Sequence, residues 1–145
     1  MPTHAQNSRR AEKGQSLVEL AVGIVVLLIL LAGLIDLGRL LFFYISLRDA
    51  SQEGTVYGQL NPRNCTGITT RVNQYMNTTG YVPDITVDGQ ACEAMKTINT
   101  RSCSGRWITV RLSAPFKFAM PFMGGATLNL SSESTGTILQ PACGT

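Results

Sequence analysis

An apolar run near the N-terminus is the strongest pattern in the chain. From Leu20 to Ile35 no side chain is charged or strongly polar, and extending the run back to Leu17 adds only Glu19. At about 1.5 Å of rise per residue, a helix over this run crosses a hydrocarbon layer of about 30 Å. A buried strand would be shorter and bounded by turn residues. The run therefore predicts a membrane-spanning helix.

Helical spacing of apolar positions continues past the run as far as Leu60. Asn61-Pro62 ends the pattern, because the residue before a proline is pushed out of the α region. We expect one helix over residues 15–60, about 60 to 70 Å long, which spans the membrane to about residue 35 and then projects beyond it.

Small residues recur four apart in the projecting part of this helix. Such a ridge lets a sheet of the same chain or a neighbouring helix approach the backbone closely. The spacing can also arise by chance in a sequence that contains many glycines and serines. The four residues are Ser46, Ala50, Gly54 and Gly58.

Charge predicts the direction of insertion. Arg9, Arg10 and Lys13 precede the run, whereas basic and acidic residues are nearly balanced after it. An excess of lysine and arginine favours the cytoplasmic side, so we expect the N-terminus inside and the body of the chain outside. A cleaved secretory signal is the alternative, but its apolar region is shorter, about 7 to 15 residues, and ends at a small-x-small site. We expect a single-pass protein of the cytoplasmic membrane.

Residues 61–145 carry shorter patterns. Apolar side chains follow Ile68 at positions four, seven and eight further on, which predicts a helix of about three turns ending near Gly80. Asp84–Asp88 alternates briefly and closes in the turn dipeptide Asp88-Gly89. The apolar positions after Ile68 are Val72, Tyr75 and Met76.

Two longer strands are predicted further on. Arg106–Pro115 alternates clearly, and Thr127–Leu139 follows with Gly136 allowing a bulge. A sheet of three or so antiparallel strands, packed on the projecting end of the long helix, would bury the apolar faces of both. The fold class is therefore α+β. The first strand places Trp107, Thr109 and Arg111 on one face and Ile108, Val110 and Leu112 on the other; the second turns Leu128 and Leu130 toward the core.

An apolar connection joins these two strands. It either packs on the sheet or faces a partner or a membrane surface. Its members are Pro115, Phe116, Phe118, Met120, Pro121, Phe122 and Met123.

All four cysteines lie in the C-terminal part of the chain. Without a CxxC pair, and with one histidine in the chain, a zinc site fits poorly, whereas two disulfides fit an oxidising compartment. Three connectivities are possible. We favour Cys92 with Cys103, which closes a short loop, and Cys65 with Cys143, which ties the C-terminus to the end of the long helix. Each bond would contribute about 3 kcal/mol.

The junction before the apolar run carries a processing signal. Basic residues, then Gly14, then four residues and Glu19 resemble the spacing at which type IV pilin-like precursors are cut by a prepilin peptidase. Glycine leaves the scissile bond free of a side chain. Cleavage there would remove residues 1–14 as a cytoplasmic leader and expose the ammonium of Gln15.

Glu19 would then be the fifth residue of the mature chain. A carboxylate at the centre of a bilayer costs about 2.5 to 3.5 kcal/mol, so it usually has a partner. In pilin assemblies that partner is the N-terminal ammonium of an adjacent subunit, and the pair would set the axial register between subunits. Alternatively, Glu19 lies near the interface, reaches toward the headgroups and favours the positive end of the helix.

The resemblance widens over residues 14–58, which look like the N-terminal half of TadE-like proteins of the tight-adherence system. These proteins show a GQ-x-x-VE opening, an apolar stretch ending in D-x-G-R, aromatics around a tyrosine, and an A-x-x-E/R-G-x-x-Y/A segment. The proline usual shortly after the glutamate is absent, and Gly23 stands in its neighbourhood. The matching positions are Gly14, Gln15, Val18, Glu19, Asp36, Gly38, Arg39, Tyr44, Ala50, Glu53, Gly54 and Tyr57.

The resemblance implies a type IV pilin-like fold and a minor pilin or pseudopilin of a tight-adherence, type IVb pilus. Its partners would be other pilins or pilin-like subunits, prepilin peptidase and the membrane, and it would lie in the cytoplasmic membrane or the extracellular pilus. The alternative is a membrane-anchored extracytoplasmic binding or adhesion domain, over residues 61–145, that does not polymerise.

Composition argues against other classes. The net charge is only +3, and no basic stripe suited to nucleic acid appears. The single histidine, His4, precedes the expected cleavage site, and the chain contains no Ser-His-Asp or Cys-His set and no phosphate-binding loop. We therefore expect no enzymatic activity, no cofactor or metal, and no small-molecule substrate.

Overall fold

The computed structural model describes residues 8–76, 81–95, 105–120 and 125–139. Helix α1 runs without a break from Ser8 to Leu60. It ends where the sequence predicted, at the residue before Asn61-Pro62, but it begins seven residues before the predicted start at Gln15. Gly14 alone does not interrupt it, because one glycine weakens a helix by only about 1 kcal/mol.

The second half of α1 carries a small head, in whose described residues there are one helix, one helical turn and a sheet. The antiparallel sheet has the order β2-β1-β3-β4, which gives the α+β layout predicted from the sequence. Strand β2 is only two residues long, too short to show an alternating pattern. The elements are α2 (Cys65–Tyr75), β1 (Asp84–Val87), β2 (Gln90–Ala91), α3 (Cys92–Met95), β3 (Trp107–Lys117) and β4 (Thr127–Thr137).

Strand β3 is the centre of the core. Its alternation is confirmed: Ile108, Val110 and Leu112 are buried beneath α1 and α2, whereas the opposite face is polar. On that polar face Arg111 pairs with Glu133 of β4 at 3.2 Å. One face of the sheet thus forms the core with the helices, and the other is left for solvent.

Strand β4 differs from its prediction in two ways. Its register with β3 is continuous from Lys117↔Thr127 to Trp107↔Thr137, so Gly136 forms no bulge. Glycine is needed there because α1 crosses β4 at this point, where a Cβ would collide with Gln59 and Thr55. Leu130 packs against the core as predicted, but Leu128 is 42% exposed near the start of the strand.

Helix α2 has the predicted length of about three turns, but it ends at Tyr75, five residues before Gly80. Its N-cap, Asn64, accepts the Gly67 N–H at 2.9 Å. The buried residues of α2 include the predicted Ile68 and Val72, but Tyr75 is 55% exposed. The Asp88-Gly89 turn between β1 and β2 is confirmed, with φ of 50° and 77°.

One disulfide joins Cys65, at the start of α2, to Cys92, at the start of α3. Both cysteines are buried and their Cα atoms are 6.0 Å apart. The predicted pairs Cys92–Cys103 and Cys65–Cys143 are therefore wrong. The prediction paired Cys92 with Cys103 because that bond closes a short loop. In the structure the β1–β2 hairpin returns to α2 and brings Cys92 next to Cys65, 27 residues earlier in the chain. Cys103 and Cys143 lie outside the described residues.

Candidate assembly site on the long helix

The predicted processing site lies within a regular helix. Gly14 and Gln15 are exposed, and a Cβ at Gly14 would meet no atom within 4 Å. A peptidase that needs an extended approach would have to open this turn. Glycine favours that opening, because it destabilises a helix by about 1 kcal/mol relative to alanine.

Glu19 lies on the open surface of α1, one turn after Gln15. Its side chain is exposed and makes no hydrogen bond or ion pair with any residue whose side chain the structure describes. It borders a shallow groove along one face of the helix, in which Gly23 leaves a notch between branched apolar side chains. A second helix could approach closely at that notch. The groove is lined by Ser16, Glu19, Leu20, Gly23, Ile24 and Leu27.

Most of the apolar run of α1 is left uncovered by the described part of the chain. Its large apolar side chains from Leu17 to Ile35 are 40% to 67% exposed. The most apolar window of the helix has a mean hydropathy of 2.9, and none of it is buried. The core helix of a soluble protein would be mostly covered by its own chain. This helix is long and apolar enough to act as a single-pass membrane anchor.

An apolar face continues beyond the run on the side of α1 that faces away from the head. Ile45 lies about 15 Å past Ile35 along the helix. The headgroup layer on each side of a bilayer is only about 5 to 8 Å thick, so the membrane alone does not cover this face. Its exposed members are Leu37, Leu41, Phe42, Tyr44 and Ile45, which we call the outer face.

Most of the predicted ridge of small residues lies on the opposite side, against the head. Ala50, Gly54 and Gly58 are buried. A Cβ at Gly54 would lie 2.7 Å from Val72 Cγ2, and one at Gly58 would lie 2.5 Å from Ile108 Cδ1. Ser46 is exposed instead and donates to the Phe42 carbonyl at 3.0 Å.

Two hydroxyl residues next to this ridge hold α1 on β4. Ser51 and Ser132 share a hydrogen bond of 3.1 Å in the core, and Thr55 donates to the Ser134 carbonyl at 3.1 Å. Close packing and these two hydrogen bonds, one buried and one part-buried, hold the head on the projecting half of the helix.

Asp36 is a key residue whose role the sequence did not reveal. It directly follows the apolar run, yet it is only 2% exposed. Its Oδ2 accepts the backbone N–H groups of Ala119 and Met120, each at 2.9 Å, and its Oδ1 pairs with Arg39 at 2.8 Å. The guanidinium of Arg39 also lies 5.7 Å from the ring centroid of Phe116. The only sequence signal was the D-x-G-R pattern, which did not indicate what Asp36 contacts.

A single anchor helix that continues into a small α+β head is the layout of a pilin-like protein. A family model described as TadE-like protein matches residues 14–55. No curated protein and no solved structure matches the chain. The TadE-like resemblance expected from the sequence is therefore confirmed over this segment, which runs from Gly14 through Glu19 and Asp36 to Thr55. The match connects the chain with tight-adherence pilus systems, whose TadE-like components are structural.

Proposed function

We propose that this chain is a minor pilin or pseudopilin-like component of tight-adherence pilus assembly, which acts without catalysis by helix–helix packing after leader removal. The observation that carries the proposal is the outer face of α1. A helix that served only as an anchor would not need exposed leucine, phenylalanine, tyrosine and isoleucine side chains that continue to about 15 Å past the apolar run. Neighbouring pilin helices would cover this face in a filament.

Glu19 supports the same function. A carboxylate inside an apolar surface, without a partner among the described residues, is costly unless a second subunit supplies a charge. Cleavage after Gly14 would create that charge as the Gln15 ammonium. Glu19 lies about 6 Å further along the helix than Gln15. Pairing between neighbours would therefore offset adjacent helices by about that distance.

The head would follow the helix in this assembly. Because buried small residues and hydrogen bonds fix it on α1, the register of the helices would also set the register of the heads. The proposed orientation places residues 1–14 in the cytoplasm and residues 61–145 outside. A buried disulfide in the head supports an oxidising compartment there. The proposed partners are other pilins or pilin-like subunits and the prepilin peptidase.

The test is the mature N-terminus of protein recovered from sheared pili. Mass spectrometry should find chains that begin at Gln15, and Gly14→Leu should leave the full-length form in the membrane. Glu19→Gln should lower incorporation into pili by about tenfold or more, since a charge-assisted pair contributes about 1.5 to 3 kcal/mol. Glu133→Gln, which removes an exposed carboxylate on the polar face of the sheet, should assemble normally.

Two results would overturn the proposal. One is working protein that keeps residues 1–13. The other is wild-type protein that stays entirely in the membrane fraction while pili form without it, which would favour an anchored binding or adhesion domain.

A further inference from the structure

The described start of the connection between β3 and β4, Phe118–Met120, lies against the membrane-spanning part of α1. The backbone N–H groups of Ala119 and Met120 are held by Asp36. The Met120 side chain extends along α1 toward its N-terminus as far as Gly33. Its Sδ would lie 3.7 Å from a Cβ placed on that glycine. Gly33 is inside the apolar run. Part of the head is therefore level with the span itself.

Helix geometry gives the depth of this contact. Gly33 lies about 3 Å before Ile35, the last residue of the apolar run. Met120 therefore lies close to the boundary between hydrocarbon and headgroups on that side of the bilayer. The hydrogen bonds to buried Asp36 prevent the connection from moving away from the helix without breaking them.

The side chains around this point suit such a boundary. Ala119 is exposed, Phe118 is half-buried, and Leu128 at the start of β4 is 42% exposed. Basic side chains lie further from the span than Phe118 and Ala119: Lys117 is exposed, and the side chain of Arg39, over the Phe116 ring, is 52% exposed. Apolar groups beside hydrocarbon, with lysine or arginine further out, are typical of interfacial segments, because the basic heads reach the phosphates.

We propose that Phe118–Met120 and Leu128 form a second membrane contact, which inserts into the interface of the bilayer leaflet next to the head. This contact adjoins the exposed apolar surface of the span at Gly33. Because lipid already surrounds that surface, lipid is favoured over a protein partner here. The head would then be held at the membrane by two points, α1 and the β3–β4 connection, and its tilt would be fixed. The inference depends on α1 as an anchor and is independent of pilus assembly.

The single tryptophan of the chain provides the control for a depth measurement. Trp107 begins β3, ten residues before Lys117, so it lies about 33 Å from the proposed contact. In phosphatidylcholine vesicles whose acyl chains carry bromine, the full-length wild-type protein should keep its emission. The double variant Trp107→Phe/Phe118→Trp should lose most of its emission in the same vesicles, relative to vesicles without bromine.

Replacing Phe118 also removes its edge-to-face contact with the Phe116 ring. A second tryptophan position, which leaves Phe118 in place, therefore serves as an independent probe. Trp107→Phe/Ala119→Trp places the indole at an exposed position and should be quenched as well. If brominated lipid leaves the emission of both variants unchanged, the proposal is overturned. Emission that is blue-shifted but not quenched by bromine would show that a second copy of the chain, and not lipid, covers Phe118–Met120. That result would also overturn the proposal. Failure of leader cleavage or filament incorporation would not alter the quenching, so the two proposals fail separately.

Discussion

The interaction of Asp36 with the β3–β4 connection gives the sharpest prediction about the fold. Asp36→Asn keeps the shape of the side chain but removes its charge. Hydrogen bonds to a charged acceptor contribute about 1.5 to 3 kcal/mol, against about 0.5 to 1.5 kcal/mol for neutral ones. Two backbone N–H groups donate to Asp36. The free energy that their two hydrogen bonds contribute should therefore fall by about 2 kcal/mol in total in Asp36→Asn. The Arg39 pair adds little, because half of that side chain is exposed.

A loss of about 2 kcal/mol corresponds to about a 30-fold change in the equilibrium for local opening. Hydrogen exchange of the full-length protein in lipid nanodiscs measures this directly. The amides of Ala119 and Met120 should exchange about 30-fold faster in Asp36→Asn, while amides in the centre of β3 keep their protection. Asp49→Asn is the matched control, because Asp49 is an exposed carboxylate on the same helix with no side-chain partner among the described residues.

Unchanged exchange at both amides would refute the role assigned to Asp36. A uniform rise across the whole sheet would also refute it, since Asp36 would then stabilise the entire head and not this connection.

Two further predictions concern packing and cross-linking of the head. Gly54→Ala should gain about 1 kcal/mol of stability from helix propensity but lose about 1 to 3 kcal/mol to overpacking against Val72. Gly38→Ala should show the gain alone, because no atom lies within 4 Å of the new Cβ. Chemical denaturation of the full chain in detergent should place Gly54→Ala below Gly38→Ala, and equal stability would show that α2 yields easily. Peptide mapping without reduction should find Cys65 linked to Cys92 and, if no thiol is free, Cys103 linked to Cys143; a Cys92–Cys103 peptide would contradict the structure.

Patterns with a regular period predicted their elements well. The apolar run and the spacing up to Leu60 identified α1, and alternation identified β3 with the correct buried face. The Asp88-Gly89 turn was also recognised, because these residues tolerate positive φ. Each of these features depends on residues close together in the sequence.

Contacts between distant parts of the chain could not be obtained in this way. The pairing of Cys65 with Cys92 depends on where the β1–β2 hairpin returns, which loop length does not reveal. Gly136 was interpreted as a bulge because a glycine in a strand often marks one, although its role is to let α1 pass over β4.

The sequence by itself determined that this protein has an apolar helix able to cross a membrane, a glycine and a glutamate at pilin-like spacing before it, and a small α+β head after it. These features are local, since hydropathy, helical period and motif spacing require no knowledge of the fold. Only the tertiary structure decided which side of α1 the head covers, and that a buried Asp36 holds the β3–β4 connection beside the membrane span. Both depend on residues more than 80 positions apart, which only the folded chain brings into contact.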